Sequence, residues 1–133
     1  MIGIVIVAHG GLAREYLSAV EHVVGPQKGI RAIAIEEDHD RAAKQAEIRA
    51  AADSVDTGDG VVVVTDMFGG SPSNLSLCAC ESDDRRILFG ANLPMLIKLA
   101  KSRHLSVPEA ATSALDAGRK YINSYAGSGQ GNQ

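Results

Sequence analysis

Two hydrophobic periods alternate along the chain. Short runs of β-branched and aliphatic residues at positions 2–8, 30–36, 60–66 and 86–90 predict four strands. The run "VVVVT" at 61–65 shows no polar alternation, which is the pattern of a strand covered on both faces, as in a parallel sheet sandwiched by helices. Between these runs the spacing lengthens. Leu12, Tyr16, Val20 and Val23 follow a helical stripe that Gly25 and Pro26 terminate. Positions 40–55 form an alanine-rich segment of high helix propensity and weak stripe. "GGSPSN" predicts a third helix with Ser71 as N-cap and Pro72 at its first position, and Pro94 opens a fourth. In "SVPE", Ser106 and Glu109 have capping-box spacing and start a fifth, continuing through Ala111, Leu115 and Gly118.

Strand and helix therefore alternate with short connections. That order predicts an α/β domain with a doubly wound, mostly parallel sheet, strand order 2-1-3-4, right-handed crossovers and helices on both faces. One domain over residues 1–125 accounts for the pattern, and 126–133, ending in "GSGQGNQ", has nothing apolar to anchor it and is expected to be disordered. The stretch "RKYINSYAG" fits either a continued fifth helix or an extra edge strand, and periodicity leaves both open. No internal repeat is present.

The 133 residues are enough to bury about two-thirds of the unfolded chain's surface. A net charge of -3 with no basic block argues against a nucleic-acid partner. No apolar run reaches the ~18 residues of a membrane span, and the N-terminal run lacks the basic flank of a signal peptide, so a cytoplasmic protein without membrane insertion is expected. Cys78 and Cys80, two apart in a predicted helix, point to separate faces and read as buried packing thiols. His22, His39 and His104 lack ligand spacing and read as surface residues. No metal site or cofactor is expected. The acidic pieces "EEDHD" and "ESDD" read as solvated loops or helix starts.

The stretch "IVIVAHGG" is different, because it places His9 where a buried strand stops and Gly10 and Gly11 take over. In an open parallel sheet, ligands bind beyond the carboxyl ends of strands where the connections diverge, which for the order 2-1-3-4 is between strands 1 and 3. His9 ends the first and Asp66 the third. In the loop "DMFGGSPSN", Gly69 and Gly70 permit unusual backbone angles and close approach, and Ser71 brings a hydroxyl to a helix start that favours anions. An imidazole, a carboxylate to fix its tautomer and an anion cradle suit phosphoryl transfer through histidine. Nucleotide-binding glycine motifs and a G-x-S-x-G elbow are absent.

The combination of "IVIVAHG", "DMFGGSPSN" and "GANLPML", in that order, resembles the enzyme IIA domain of the mannose/fructose/sorbose family of the bacterial phosphoenolpyruvate-dependent sugar phosphotransferase system, over roughly residues 1–125. The resemblance implies that His9 accepts a phosphoryl group on Nε2 from phospho-HPr and passes it to a IIB protein, with Asp66 orienting the ring and Ser71 assisting the phosphate. It further implies a homodimer in which the C-terminal segment crosses to the partner's sheet as an edge strand. Phe68 fits the family's aromatic before the glycine pair, whereas Ser73 stands where a bulky apolar residue is common. With no IIB segment following residue 125, the acceptor is expected to be a separate protein. Two other outlets share the same site: a regulatory protein whose phosphorylation state controls partner binding, and the phosphodonor subunit of a dihydroxyacetone kinase.

Overall fold

The computed structural model describes residues 1–67, 69–81 and 84–127. Its sheet is four-stranded and parallel, in the order β2-β1-β3-β4, from Gly3–His9 (β1), Ile30–Ile35 (β2), Val61–Thr65 (β3) and Arg85–Leu88 (β4). The helices are Leu12–Val24 (α1), Arg41–Val55 (α2), Ser71–Ser76 (α3), Leu93–Lys101 (α4) and Val107–Lys120 (α5). The predicted strands are thus present with ends moved by a residue or two.

Side-chain alternation on β1 and β3 divides the core in two. Ile4, Ile6, Ala8, Val62 and Val64 meet residues of α1, α4 and α5 on one face, while Val5, Val7, Val61 and Val63 meet α2 and α3 on the other. Burying each such aliphatic side chain contributes about 1.5–3 kcal/mol, and the two central strands carry polar side chains only at their last residues, His9 and Thr65. The chain passes α1 over one face and α2 and α3 over the other, so the connections diverge between β1 and β3. That divergence is the predicted switch point.

Three helix starts are closed by side chains. Asp40 accepts the Ala42 N–H at α2, Asn92 accepts the Met95 N–H at α4, and Ser106 with Glu109 forms the expected capping box at α5. The "GANLPML" segment also stitches the fold together. The Ala91 N–H donates to the Thr65 carbonyl at 3.0 Å, Tyr16 Oη donates to the Ala91 carbonyl at 3.0 Å, and Asn92 Nδ2 donates to the Gly118 carbonyl at 2.8 Å.

Several expectations need correction. The third helix begins at Ser71 with Gly70 as its N-cap, one residue earlier than the Ser-Pro signal suggested, and it tightens into a 3-10 turn over Leu77–Cys80. Cys78 and Cys80 sit on that turn, half-buried and unpaired, and not fully inside the core. Burial still pushes the Cys80 thiol up to about 11. The fifth helix stops at Lys120, and Tyr121, Ile122 and Tyr125 follow with exposed side chains; Tyr125 makes an isolated β-bridge, short of a fifth strand. The expectation of disorder concerns 126–133, of which 128–133 lie outside the described residues. Phe68, and Ser82 and Asp83 of "ESDD", also lie outside them. Among the described residues no helix is long and apolar enough to cross a membrane, and no cluster of His, Cys, Asp and Glu could hold a metal ion.

Candidate phosphoryl-acceptor site

The register of β1 on β3 builds the site. The ladder's last pair is Val7 with Thr65, so the next residues of both strands emerge at the same rim. In place of a further rung, Asp66 Oδ2 accepts the His9 backbone N–H at 3.0 Å and lies 2.7 Å from His9 Nδ1. One carboxylate oxygen thereby fixes both the main chain and the ring of His9. Everything before His9 in β1 is buried, whereas its own side chain is 49% exposed and that of Asp66 only 11%. The imidazole is reachable and its carboxylate partner is sheltered.

Burial pushes the Asp66 carboxyl up, but the His9 backbone and ring hydrogen bonds and the His9 charge outweigh it, and the group is held below the usual carboxylate range. Asp66 is ionised at neutral pH. It accepts the Nδ1 proton and leaves Nε2 with the lone pair, so the ring is a nucleophile on the side turned away from Asp66. The Asp66 charge also reaches Tyr16, whose hydroxyl is raised first by burial and then by this carboxylate.

Two glycines in the loop serve different ends. Gly69 adopts φ +87° with open space around it, a backbone state that side chains rarely take. Gly70 has an ordinary φ of -88°, but a Cβ there would lie 3.2 Å from His9 Cε1 and 3.6 Å from Nε2. Gly70 keeps the nucleophilic edge of the ring accessible. Ser73, buried behind them, accepts the Gly69 N–H at 3.0 Å and donates to the Gly70 carbonyl at 3.0 Å, which locks the loop. Sequence reasoning noted Ser73 only as a departure. Its signal was a hydroxyl three residues after Gly70 at a helix start, the spacing of a side chain bonded back to a turn.

Gly10, at φ +55°, turns the chain out of β1 and donates its N–H to the Ile35 carbonyl at 2.9 Å. Gly11 is the N-cap of α1 and, like Gly70 at α3, offers no side-chain cap. The two helices flanking His9 therefore begin with backbone amides uncovered by side chains, in contrast to the three capped helices elsewhere. Ser71 lines an open cleft of about 480 Å³ together with His9, Gly10, Glu36, Glu37 and His39. The cleft wall from the loop after β2 was not foreseen, and His39 is half-buried there, not a plain surface residue. His22 and His104 are exposed as expected.

Together, sheet order and site define a doubly wound α/β domain carrying an oriented histidine at its switch point. The family model for the fructose IIA component of the phosphotransferase system (PTS) matches residues 3–115. The mannose-specific EIIAB component of Escherichia coli K12 is 28% identical over 124 residues, covering 91% of this chain and 38% of the relative. The chain thus spans about two-fifths of the length of the curated relatives it matches. Among solved structures, the phosphotransferase system component EIIA from Streptococcus agalactiae superposes with a TM-score of 0.83 at 27% identity, covering 94% of this chain and 98% of that one. The PTS IIA protein associated with the fucose utilization operon from Streptococcus pneumoniae gives 0.76 at 27% identity, covering 86% and 88%. The chain belongs to the fructose/mannose IIA family of the PTS.

Proposed function

We propose that the chain is a phosphocarrier in which His9 Nε2 takes a phosphoryl group from the phosphohistidine of HPr and passes it to a separate IIB protein. The observation that carries this reading is the 2.7 Å contact between His9 Nδ1 and Asp66 Oδ2. In the forward step the Nε2 lone pair forms the new N–P bond as the N–P bond of the donor histidine breaks. The Nδ1 proton stays where it is. The phosphorylated ring then carries a formal positive charge, and the ionised Asp66 beside it offsets that charge. In this reading the Ser71 hydroxyl, which lines the His9 cleft, and the uncapped amides at the start of α1 hold the phosphoryl oxygens, while Gly10, Gly11, Gly69 and Gly70 keep the approach clear. Attack by the acceptor on phosphorus returns the lone pair to Nε2. The chemistry is positioning and charge stabilisation throughout.

The working form in this reading is a cytoplasmic homodimer. β4 is an edge strand, and the exposed Tyr121, Ile122 and Tyr125 provide apolar side chains for a segment that crosses to a second copy. Light scattering of the purified protein tests the dimer.

The function is tested by incubating the protein with phosphoenolpyruvate, enzyme I and HPr and mapping phosphate that survives alkali but not acid. The expected result is one labelled position, His9, and no label on His9→Ala. Label elsewhere, or none on the wild type, would overturn the reading.

A further inference from the structure

The loop that follows β2 carries a second imidazole to the cleft in which His9 stands. His39 lines the same cavity as His9 and Ser71. Its Nδ1 lies 2.8 Å from the Glu36 carbonyl oxygen, an atom that can only accept, so Nδ1 carries the proton. Among the described residues Nε2 is the ring's remaining polar atom without a hydrogen bond. The ring is thus anchored at one nitrogen and open at the other, the same division of roles that Asp66 imposes on His9.

We propose that His39 is a positioning residue for phosphoryl transfer: it takes up a proton at Nε2 when His9 is phosphorylated and supplies the positive charge facing the phosphoryl oxygens. This inference rests on the reading of His9 as the acceptor. The charge arrangement gives it its force. The other titratable groups on the cleft wall are Glu36 and Glu37, both exposed and both acidic, with Asp38 and Asp40 flanking His39 in the loop. On the far side stand His9 and, behind it, Asp66, whose charge is already engaged by the His9 ring. Ser71 is neutral. No Lys or Arg lines this cleft, and Arg14 lines the adjoining one with Gly10, Gly11 and Glu36. A phosphoryl dianion entering the His9 cleft would meet carboxylates on one wall, and His39 is the group on that wall able to carry a positive charge. Because the dianion favours the imidazolium, linkage requires that protonated His39 in turn favour the phosphorylated state. Lower pH should therefore draw the phosphoryl equilibrium from HPr toward this protein, and that pull should depend on His39.

The test uses the full chain, phosphorylated through phosphoenolpyruvate, enzyme I and HPr, with ring signals of all four histidines followed by NMR across pH. On phosphorylation the His39 titration should move to higher pH by about one unit, a tenfold linkage, while exposed His22 and His104 stay in place. His39→Gln, which keeps a donor for the Glu36 carbonyl, should still label at His9. Its phosphoryl partition with HPr should fall about tenfold relative to wild type near pH 6 and converge with wild type above about pH 8.5. A labelled His9 with an unmoved His39 titration, or a His39→Gln partition equal to wild type at every pH, would overturn the inference and leave the phosphocarrier reading standing. Phosphate mapped to His39 would overturn it in favour of a second acceptor. Absence of label on His9 would remove both.

Discussion

Asp66 Oδ2 receives both the backbone N–H and the Nδ1 edge of His9, at 3.0 and 2.7 Å. A single atom thus couples the conformation of β1's last residue to the tautomer of its ring. Asp66→Asn keeps the shape and can set its amide oxygen where Oδ2 accepts both donors, but it removes the negative charge that offsets the phosphorylated ring and weakens the bond that orients Nδ1. Phosphoryl acceptance by His9 should fall by about 10²–10⁴-fold. The same pair makes a pH prediction. Asp66 is held below its unfolded value, so its contribution to stability is present above about pH 4 and is lost as pH falls through the lowered folded value. Denaturant unfolding of wild type and Asp66→Asn should show a stability gap at pH 6 that closes on acidification below about pH 4.

The adjacent glycines separate conformation from access. Gly69→Ala places a side chain at φ +87° and should destabilise the fold by about 1–2 kcal/mol. Gly70→Ala has no such strain at φ -88°, but its Cβ would stand against His9 Cε1 and Nε2. It should unfold close to wild type and label at His9 at least tenfold more slowly, since small misplacements at a reacting centre are costly. Equilibrium unfolding and initial labelling rates, measured on both variants, should show the two effects falling on different proteins.

The strands were legible because Ile4 to Val7 and Val61 to Val64 have no polar residue to confuse the pattern, and the cap at Ser106 because its side chain acts locally. The meeting of His9 with Asp66 was legible as well, since it needs only the sheet order and the rule that parallel strands end at one rim. What stayed hidden depends on contacts without local signature. The start of α3 shifted to Ser71 because Ser73 bonds back to Gly69 and Gly70, which makes Gly70 the cap. The 3-10 turn at Leu77–Cys80 was invisible because its apolar spacing differs little from that of a helix. The loop holding Glu36 and His39 has the composition of any solvated turn, and only the pairing of β2 beside β1 brings it to the cleft.

Ser73 is the residue on which that loop closes. Ser73→Ala removes both the acceptor for the Gly69 N–H and the donor to the Gly70 carbonyl within a buried setting. The expected loss is about 1–3 kcal/mol, with the damage concentrated in the loop. Amide hydrogen exchange should show Gly69 losing protection while the amides of β1 and β3 change only with global stability. Uniform loss of protection across the sheet would assign Ser73 to the core instead.

At the opposite rim, Arg103 holds the beginnings of two strands. Its backbone carbonyl accepts the Ile2 N–H at 2.9 Å while its Nε donates to the Ile2 carbonyl at 2.7 Å, and its terminal nitrogens donate to the carbonyls of Lys28 and Gly29 at 2.5 and 3.2 Å. The residue is 4% exposed, and burial pushes the guanidinium down. A charge so placed is stabilised by carbonyl dipoles arranged to fit a planar fork, and a lysine ammonium cannot reproduce that geometry. Arg103→Lys should cost about 2–3 kcal/mol and Arg103→Ala somewhat more, seen as a lower urea midpoint at unchanged m-value. Because β1 runs its full length between Ile2 and His9, either variant that remains folded at the assay temperature should label at His9 at the wild-type rate. A slowed rate in a folded variant would mean that the two rims of the sheet are coupled, and that the site depends on more than the contacts at its own end of β1.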